Sequence, residues 1–497
     1  MPPYIMSIDQ GTTSSRAIIF DSDGHPRSSA HREFTQHFPR PGWVEHDPDE
    51  IWASVKAVIR ESLQNGGVMA SEIATIGITN QRETTVLWDS ATGEPVYNAI
   101  VWQSRQSAGI CEQLRERGLE PEFREKTGLV LDAYFSGTKI AWALENVEGL
   151  KSLMASGRLR FGTVDSWIVH KLTKGRSHIT DVTNASRTLL FNINELSWDD
   201  ALLEHLGIAR SVLPEVLSSS GTMAYTDPEE FFGSSTAICG IAGDQQAALF
   251  GQLCLNPGEV KSTCGTGSFL LMNTGNKPVR SKRGLLTTLA CSVDGKPSYA
   301  LEGSIFVAGS AVQWIRDGLR IVDSSGETDS MASSLSGNDG VYFVPAFVGL
   351  GTPYWNQDAR GTIIGITRGT TRAHIARATL ESIAYQTRDV LDAMMQDSCM
   401  GISSLKVDGG MAKNDFMMGF MADVTGLDVI RPTYMESTAL GAAYLAGLGI
   451  GIWRDTAEIS ANWRQERSFA PGIGKAEADA LYDGWKKGVK AALAACS

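Results

Sequence analysis

The sequence predicts an α/β protein built from two lobes, on three observations. Apolar strand-like runs alternate with segments of helical spacing, which is the pattern of an α/β architecture. A Gly-Thr-rich turn between two apolar strands occurs twice, near the start of each half. The chain has 497 residues, too many for a single hydrophobic core.

The elements follow in order. "YIMSIDQ" and "RAIIFDSDG" read as the strands of a hairpin with a turn after the second. "EIWASVKAVIRESLQNGG" sets Ile51, Val55, Val58 and Ile59 on one helical face and ends in glycines. "IATIGITNQRETTVLWD" returns to strand character. "GEVKSTCGTGSFLLMNTG", Gly258 to Gly275, repeats strand, Gly-Thr turn and strand, and shares a G-T-x-S core with the opening hairpin. That repeat points to internal duplication and divides the chain into lobes 1–253 and 254–497, with a cleft expected between them. "ARATLESIAYQTRDVLDAMM" predicts an amphipathic helix with Leu380, Ile383, Ala384, Val390, Leu391 and Met394 on one face. "LKVDGGMAKNDFMMGFMADVTG" reads strand, double-glycine turn, helix, a turn that lets backbone approach a nucleotide. "ALGAAYLAGLGIGIW" is too short and glycine-rich to span a membrane and is expected to be a buried helix.

Composition excludes several classes. Apolar residues make up 42% and charged residues 20%, as in ordinary globular proteins. A net charge of -12 repels phosphate backbones, so no nucleic acid partner is expected. The seven cysteines are scattered and never form a CxxC pair, which argues against a zinc site or disulfide framework and fits a reducing, cytoplasmic setting. The N-terminus lacks the basic and apolar regions of a secretory signal.

The opening loop carries more small polar residues than a tight hairpin needs, since about two to five loop residues suffice. Gly11 lets backbone come close, Thr12, Thr13, Ser14 and Ser15 offer hydroxyls, and successive N–H groups in a tight turn form an anion-binding concavity. Arg16 adds positive charge. Asp9 suits such a site if a divalent cation lies between it and the phosphates. A polar hairpin with satisfied hydroxyls is the alternative for either loop alone; two such loops and a double-glycine turn together favour phosphate. The P-loop signature and the protein-kinase motif set are both absent.

"DQGTTSSR", "PGWVEHDP", "GITNQRETT", "NAIVWQ", "YFSGTK", "TNASRT", "GIAGDQQAALFGQ", "GLGTPYW" and "ESTALGAAYLAG" run through nearly the whole chain. With the paired Gly-Thr hairpins and the "DGG" turn, they resemble the FGGY carbohydrate kinases of the actin-like ATPase superfamily, and within it the glycerol-phosphorylating branch. The resemblance implies two actin-like (ribonuclease H-like) lobes with an interlobe catalytic cleft. It implies phosphoryl transfer from ATP to glycerol with Mg2+.

It also assigns residues. The acceptor pocket would be Arg82, Glu83, Trp102, Tyr134, Asp244, Gln245 and Phe269. A guanidinium fork and a carboxylate divide adjacent hydroxyls between donor and acceptor roles. Neighbouring strand residues face opposite ways, so Arg82 and Glu83 are expected at a strand end or bulge. Asp244 is the expected general base; a helix N-cap is its structural alternative. Core packing is the alternative for Trp102 and Phe269. For the nucleotide, the resemblance implies Thr12, Thr13, Ser14 and Arg16 at the first phosphate loop and Thr266 and Gly267 at the second. Gly309, Gln313, Gly410 and Asn414 would hold the rest of ATP, and Asp9 with Asp244 would face Mg2+.

Departures from the family also carry expectations. Where some relatives have a basic, glycine-rich loop for fructose 1,6-bisphosphate, this chain reads "FFGSST", so that regulation is not expected. Where others carry a phosphorylated histidine, this chain has Glu230, so that control is not expected either. The C-terminal "PGIGKAEADALYDGWKK" departs at its centre from the segment that binds a phosphotransfer protein in enteric relatives, so that partner is not expected. The resemblance allows a homodimer or a homotetramer. Other readings are an FGGY kinase for another polyol or sugar, and a silent actin-like scaffold; the latter is expected to have lost Asp9 or Asp244, and both are present.

Overall fold

The computed structural model describes residues 4–293 and 295–495. The chain forms two compact units. The first takes in the chain up to Leu253 together with Thr287–Tyr299 and Ser437–Asn462. The second comprises Cys254–Leu286, Ala300–Glu436 and the chain from Trp463. The first passage between units falls at Leu253, but 254–497 is not one continuous unit, because two later segments belong with the first.

The first unit is built on a six-stranded sheet in the order Ser220–Tyr225, Ala237–Gly243, Ile73–Asn80, Tyr4–Gln10, Ser14–Phe20 and Pro26–Glu33. The three central strands are parallel and the outer pairings antiparallel. The expected hairpin is present, and a third strand, Pro26–Glu33, extends it. That strand is polar and exposed except for Ala30 and half-buried Ser28, so no apolar alternation announces it. Helix Pro48–Gly66 buries Ile51, Val55, Val58 and Ile59 as expected. Asp47 caps it by accepting from the Asp49 and Glu50 N–H groups, and Gly67 closes it at φ 62.

The stretch expected to be a buried helix, beginning at Ala439, lies largely in helix Ser437–Ile450, whose residues from Ala439 to Gly447 are buried in the first unit. Its packing explains the glycines around it. A Cβ on Gly77 would lie 2.2 Å from the Ala442 carbonyl oxygen, and one on Gly240 would lie 2.6 Å from the Ala446 nitrogen. The sheet and this helix therefore meet backbone to backbone.

The second unit repeats the theme. Its sheet includes, as successive neighbours, Ser268–Gly275, Val260–Cys264, Ser404–Asp408, Asp428–Pro432 and Gln465–Phe469. Val260–Cys264 pairs antiparallel with Ser268–Gly275 and parallel with Ser404–Asp408. The first hairpin has the same relation to Ile73–Asn80. The predicted amphipathic helix spans Arg372–Ser398, and its expected apolar face is buried in the core with Val260, Leu270, Val407 and Trp485. Among the described residues no helix is long and apolar enough to cross a membrane, and the six described cysteines are free thiols.

Candidate active site

The central parallel strands of the first unit end in register. Gln10 pairs with Asn80, and Asn80 pairs with Gly243. The Gly11–Ser14 turn, the Gln81-Arg82-Glu83 segment and Asp244 therefore emerge at one sheet edge. Carboxyl ends of parallel strands are where ligands bind in open α/β sheets.

The first loop is braced from outside. The Gly11 N–H donates to the Ser14 carbonyl at 2.9 Å. Gln36 Nε2 donates to the Thr12 carbonyl at 3.0 Å, and Gln81 Nε2 donates to the Gly11 carbonyl at 3.1 Å and to Gln10 Oε1 at 2.9 Å. His46 Nε2 lies 2.7 Å from Gln36 Oε1. Burial pushes the His46 ring down to about 3, so it is a neutral donor to that oxygen. Sequence reasoning missed Gln10, Gln36, His46 and Gln81 as loop supports, although His46 and Gln81 lie inside "PGWVEHDP" and "GITNQRETT". Thr13 is exposed, whereas Thr12, Ser14 and Arg16 are half-buried. Asp9 is half-buried and stands opposite Arg16 in the hairpin register.

The acceptor candidates form a line of alternating charge. Arg82 Nε lies 3.2 Å from Asp244 Oδ1 and 4.0 Å from Glu83 Oε1, and Glu83 Oε1 accepts from Arg187 Nε at 2.6 Å. Side-chain exposure is 30% at Asp244, 2% at Arg82, 1% at Glu83 and zero at Arg187. Arg82 and Glu83 lie beyond the strand end at Asn80, as expected for adjacent residues serving one site, and Glu83 takes a left-handed φ of 59. Gly243 makes room for the pair, since a Cβ there would fall 2.7 Å from Arg82 Cγ.

Asp244 is the first residue of helix Asp244–Gly251, whose N-cap is Gly243. The N-cap alternative for Asp244 is thus corrected: its Oδ1 accepts from the adjacent Gln245 N–H at 2.7 Å and faces Arg82. Gln245 is buried. The Trp102 and Tyr134 rings meet edge to face at 5.6 Å. Trp102 Nε1 donates to Thr12 Oγ1 at 2.9 Å, which ties the acceptor cluster to the phosphate loop. Lys139 is fully buried and donates to the Tyr134 and Glu83 carbonyls. Desolvation pulls its amine down to about 7. Phe269 belongs to the second unit, half-buried, with its carbonyl accepting from Lys261.

In the second unit the strands Val260–Cys264 and Ser404–Asp408 also end side by side, with Thr263 opposite Asp408. The Ala308 and Ser310 N–H groups donate to the Thr266 carbonyl at 2.9 and 3.1 Å, and the Gly309 N–H to that of Gly265 at 3.0 Å. A Cβ on Gly267 would lie 2.6 Å from the Ile305 carbonyl, and one on Gly309 would lie 2.6 Å from that of Gly265. Thr266, Gly267 and Gly309 are therefore brought together. Gly409, at φ 84, packs on Cys264, which sets the Gly410 turn against the same loop. Gln313 is exposed at the end of helix Gly309–Gln313. Asn414 caps helix Asp415–Thr425 through its side-chain oxygen and donates to Thr328 Oγ1 at 3.3 Å, a structural use that sequence reasoning did not assign.

Duplicated hairpins on parallel strands, with hydroxyl- and glycine-rich loops at their carboxyl ends, define a duplicated two-unit α/β class of fold whose loops are suited to phosphate. The sequence models for the FGGY family of carbohydrate kinases match here, the N-terminal domain over residues 4–251 and the C-terminal domain over 260–450. The chain belongs to the FGGY family of carbohydrate kinases. It is 58% identical to the glycerol kinase of Bacillus subtilis, over 99% of this chain and 100% of that one. Among solved structures it is similar to the glycerol kinase of Plasmodium falciparum with ADP, at 38% identity and a TM-score of 0.92 over 99% and 98% of the two chains. A gluconate kinase from Lactobacillus acidophilus shares the fold, at 22% identity and a TM-score of 0.89 over 100% and 99%.

Proposed function

We propose that this protein transfers the γ-phosphoryl group of ATP to glycerol, giving ADP and sn-glycerol 3-phosphate. The observation that carries the reading is the buried Arg82–Glu83 pair joined to Asp244 at the strand edge that also bears the Gly11–Ser14 loop. The similarity to curated glycerol kinases over nearly the full length supports glycerol as the acceptor. The gluconate kinase likeness speaks for the fold alone, so the acceptor rests on the pocket residues and the close relatives.

Glycerol is small, neutral and covered with hydroxyls, so directed hydrogen bonds must select it. Arg82 would donate to its hydroxyls and Glu83 accept from them. Trp102, Tyr134 and Phe269 would cover its carbons, and Gln245 would add an amide. Asp244 would take the proton of the attacking hydroxyl, a modest task because the loose transition state needs little activation of the nucleophile. The larger contributions are in-line positioning and neutralisation of phosphoryl charge. For ATP, Thr12, Thr13, Ser14 and Arg16 would serve the phosphates from the first loop and Thr266 and Gly267 from the second. Gly309, Gln313, Gly410 and Asn414 would hold the remainder. Asp9 and Asp244 fit a hydrated Mg2+, being carboxylates from the same sheet edge, and one or two carboxylates with substrate phosphates are its usual ligands. Bound there, Mg2+ would offset charge on the transferring phosphoryl group. The free thiols suit a cytoplasmic setting.

Regulation by fructose 1,6-bisphosphate is expected to be absent. The "FFGSST" segment turns back through the Thr226 N–H to Thr236 carbonyl bond at 3.0 Å and contains no basic side chain. Low-millimolar effector added to the coupled assay should leave glycerol turnover unchanged; marked inhibition would overturn this. Glu230 is held by Lys56, with Nζ 2.7 Å from its carboxylate.

A further inference from the structure

We infer that Arg187 is a positioning residue for acceptor recognition: through its buried ion pair with Glu83 it aims the carboxylate that takes a substrate hydroxyl. The inference rests on the acceptor role proposed for Glu83.

Three observations converge. Glu83 stands in a left-handed backbone conformation, φ 59, which a non-glycine residue adopts only when its surroundings impose it. The surroundings are on view. Its carbonyl accepts from Ser136 Oγ at 3.0 Å, from Thr85 Oγ1 at 3.2 Å and from Lys139 Nζ at 3.3 Å. Its carboxylate accepts from Arg187 Nε at 2.6 Å. Backbone and side chain are thus held by separate groups.

Arg187 is itself fixed. It has no exposed side-chain surface, and its guanidinium lies over the Phe135 and Tyr134 rings at 5.3 and 5.6 Å. The Arg187 N–H donates to the Asn184 carbonyl at 3.0 Å, and Asn184 Oδ1 accepts from Asn80 Nδ2 at 3.0 Å. Asn80 is the last residue of the strand that leads into Arg82 and Glu83. The Arg187 backbone is therefore tied, through Asn184, to the strand that leads into Glu83.

A buried ion pair is a poor choice if stability is the only requirement, because apolar residues of similar volume usually serve as well or better. The pair is explained if the site needs an ionised acceptor in one orientation. Asp244, Arg82, Glu83 and Arg187 alternate in sign, so the second arginine balances the line. Without it, Glu83 and Asp244 compete for Arg82. Other charged or titratable groups around this segment include Lys139, with Asp132, Arg105 and Cys111 about that lysine, Tyr134 under the Arg187 guanidinium, His46 beside Gln81, and Asp181, which accepts from Asn184.

The test is steady-state kinetics of Arg187→Met, Arg187→Gln, Arg187→Lys, Glu83→Gln and the Arg187→Met/Glu83→Gln double variant, with thermal unfolding measured for each. Arg187→Met should raise the glycerol KM on the order of 10–100-fold, the range seen when the hydrogen-bond partner that orients a metal-ligating side chain is removed. The ATP KM should stay unchanged. Arg187→Lys should restore much of the loss, and Arg187→Met should add little to Glu83→Gln. If Arg187→Met does not fold, Arg187→Gln against Glu83→Gln carries the test through the same KM split. A folded Arg187→Met or Arg187→Gln with lowered thermal stability and an unchanged acceptor KM would overturn the inference. Wild-type protein inactive on glycerol but active on another polyol would instead sink the glycerol reading, and the same variants would then be read with that polyol.

Discussion

Asp244→Asn should give a folded protein that still binds glycerol but turns over on the order of 10²–10⁴-fold more slowly, the usual cost of losing a general base. The amide keeps the side chain's size and an oxygen able to accept from the Gln245 N–H, so helix Asp244–Gly251 has no reason to unravel. What disappears is the proton acceptor and the negative charge 3.2 Å from Arg82 Nε. Calorimetric glycerol binding beside steady-state ADP release separates the two effects. Binding retained with turnover lost is the expected pair; wild-type turnover would remove Asp244 from the chemistry.

The second large effect is expected far from any ligand. A Cβ on Gly441 would lie 1.8 Å from the Ala247 carbonyl oxygen, and one on Gly251 would lie 2.0 Å from that of Ser437. Helices Ser437–Ile450 and Asp244–Gly251 thus touch through their backbones, with no room for a side chain at either glycine. Gly441→Val must push them apart. Overpacking of this kind costs about 1–3 kcal/mol, occasionally more, and this overlap with fixed backbone belongs at the upper end. That is a large share of the roughly 5–15 kcal/mol that holds a domain folded. Because Asp244 opens the displaced helix, turnover of the protein that remains folded should also fall, on the order of 10²-fold for a shift near 1 Å. Thermal unfolding and kcat on the same sample check both. An unchanged midpoint with unchanged kcat would mean that the helix contact does not fix the site.

Much of this was legible in the sequence, and for physical reasons. The strands of the two Gly-Thr hairpins are buried over most of their length and show as apolar runs, while the helix carrying Val55 and Val58 and the Arg372–Ser398 helix bury one face, so their periodicity shows in the residues. Strand Pro26–Glu33 does not, because it lies at the sheet edge with most of its side chains in solvent. The position of Arg82 and Glu83 past a strand end was deducible from the alternation of strand side chains. The left-handed Glu83 and its partner Arg187, 104 residues along the chain, were not, because such a pair exists only in three dimensions. The return of Ser437–Asn462 to the first unit was hidden for the same reason. A glycine-rich apolar helix signals close packing but not its partner. Asn414 shows the converse: the residues suggest a ligand contact, and the fold also uses the side chain as a helix cap.

The most direct test of the central claim is ADP release by the purified protein with Mg-ATP and a panel of glycerol, dihydroxyacetone, glyceraldehyde, xylulose and gluconate, with the phosphorylated product identified. Strong turnover dependent on glycerol is expected, yielding sn-glycerol 3-phosphate and one ADP per product. ATP binding without turnover on any polyol, or a clear preference for xylulose or gluconate, would contradict it.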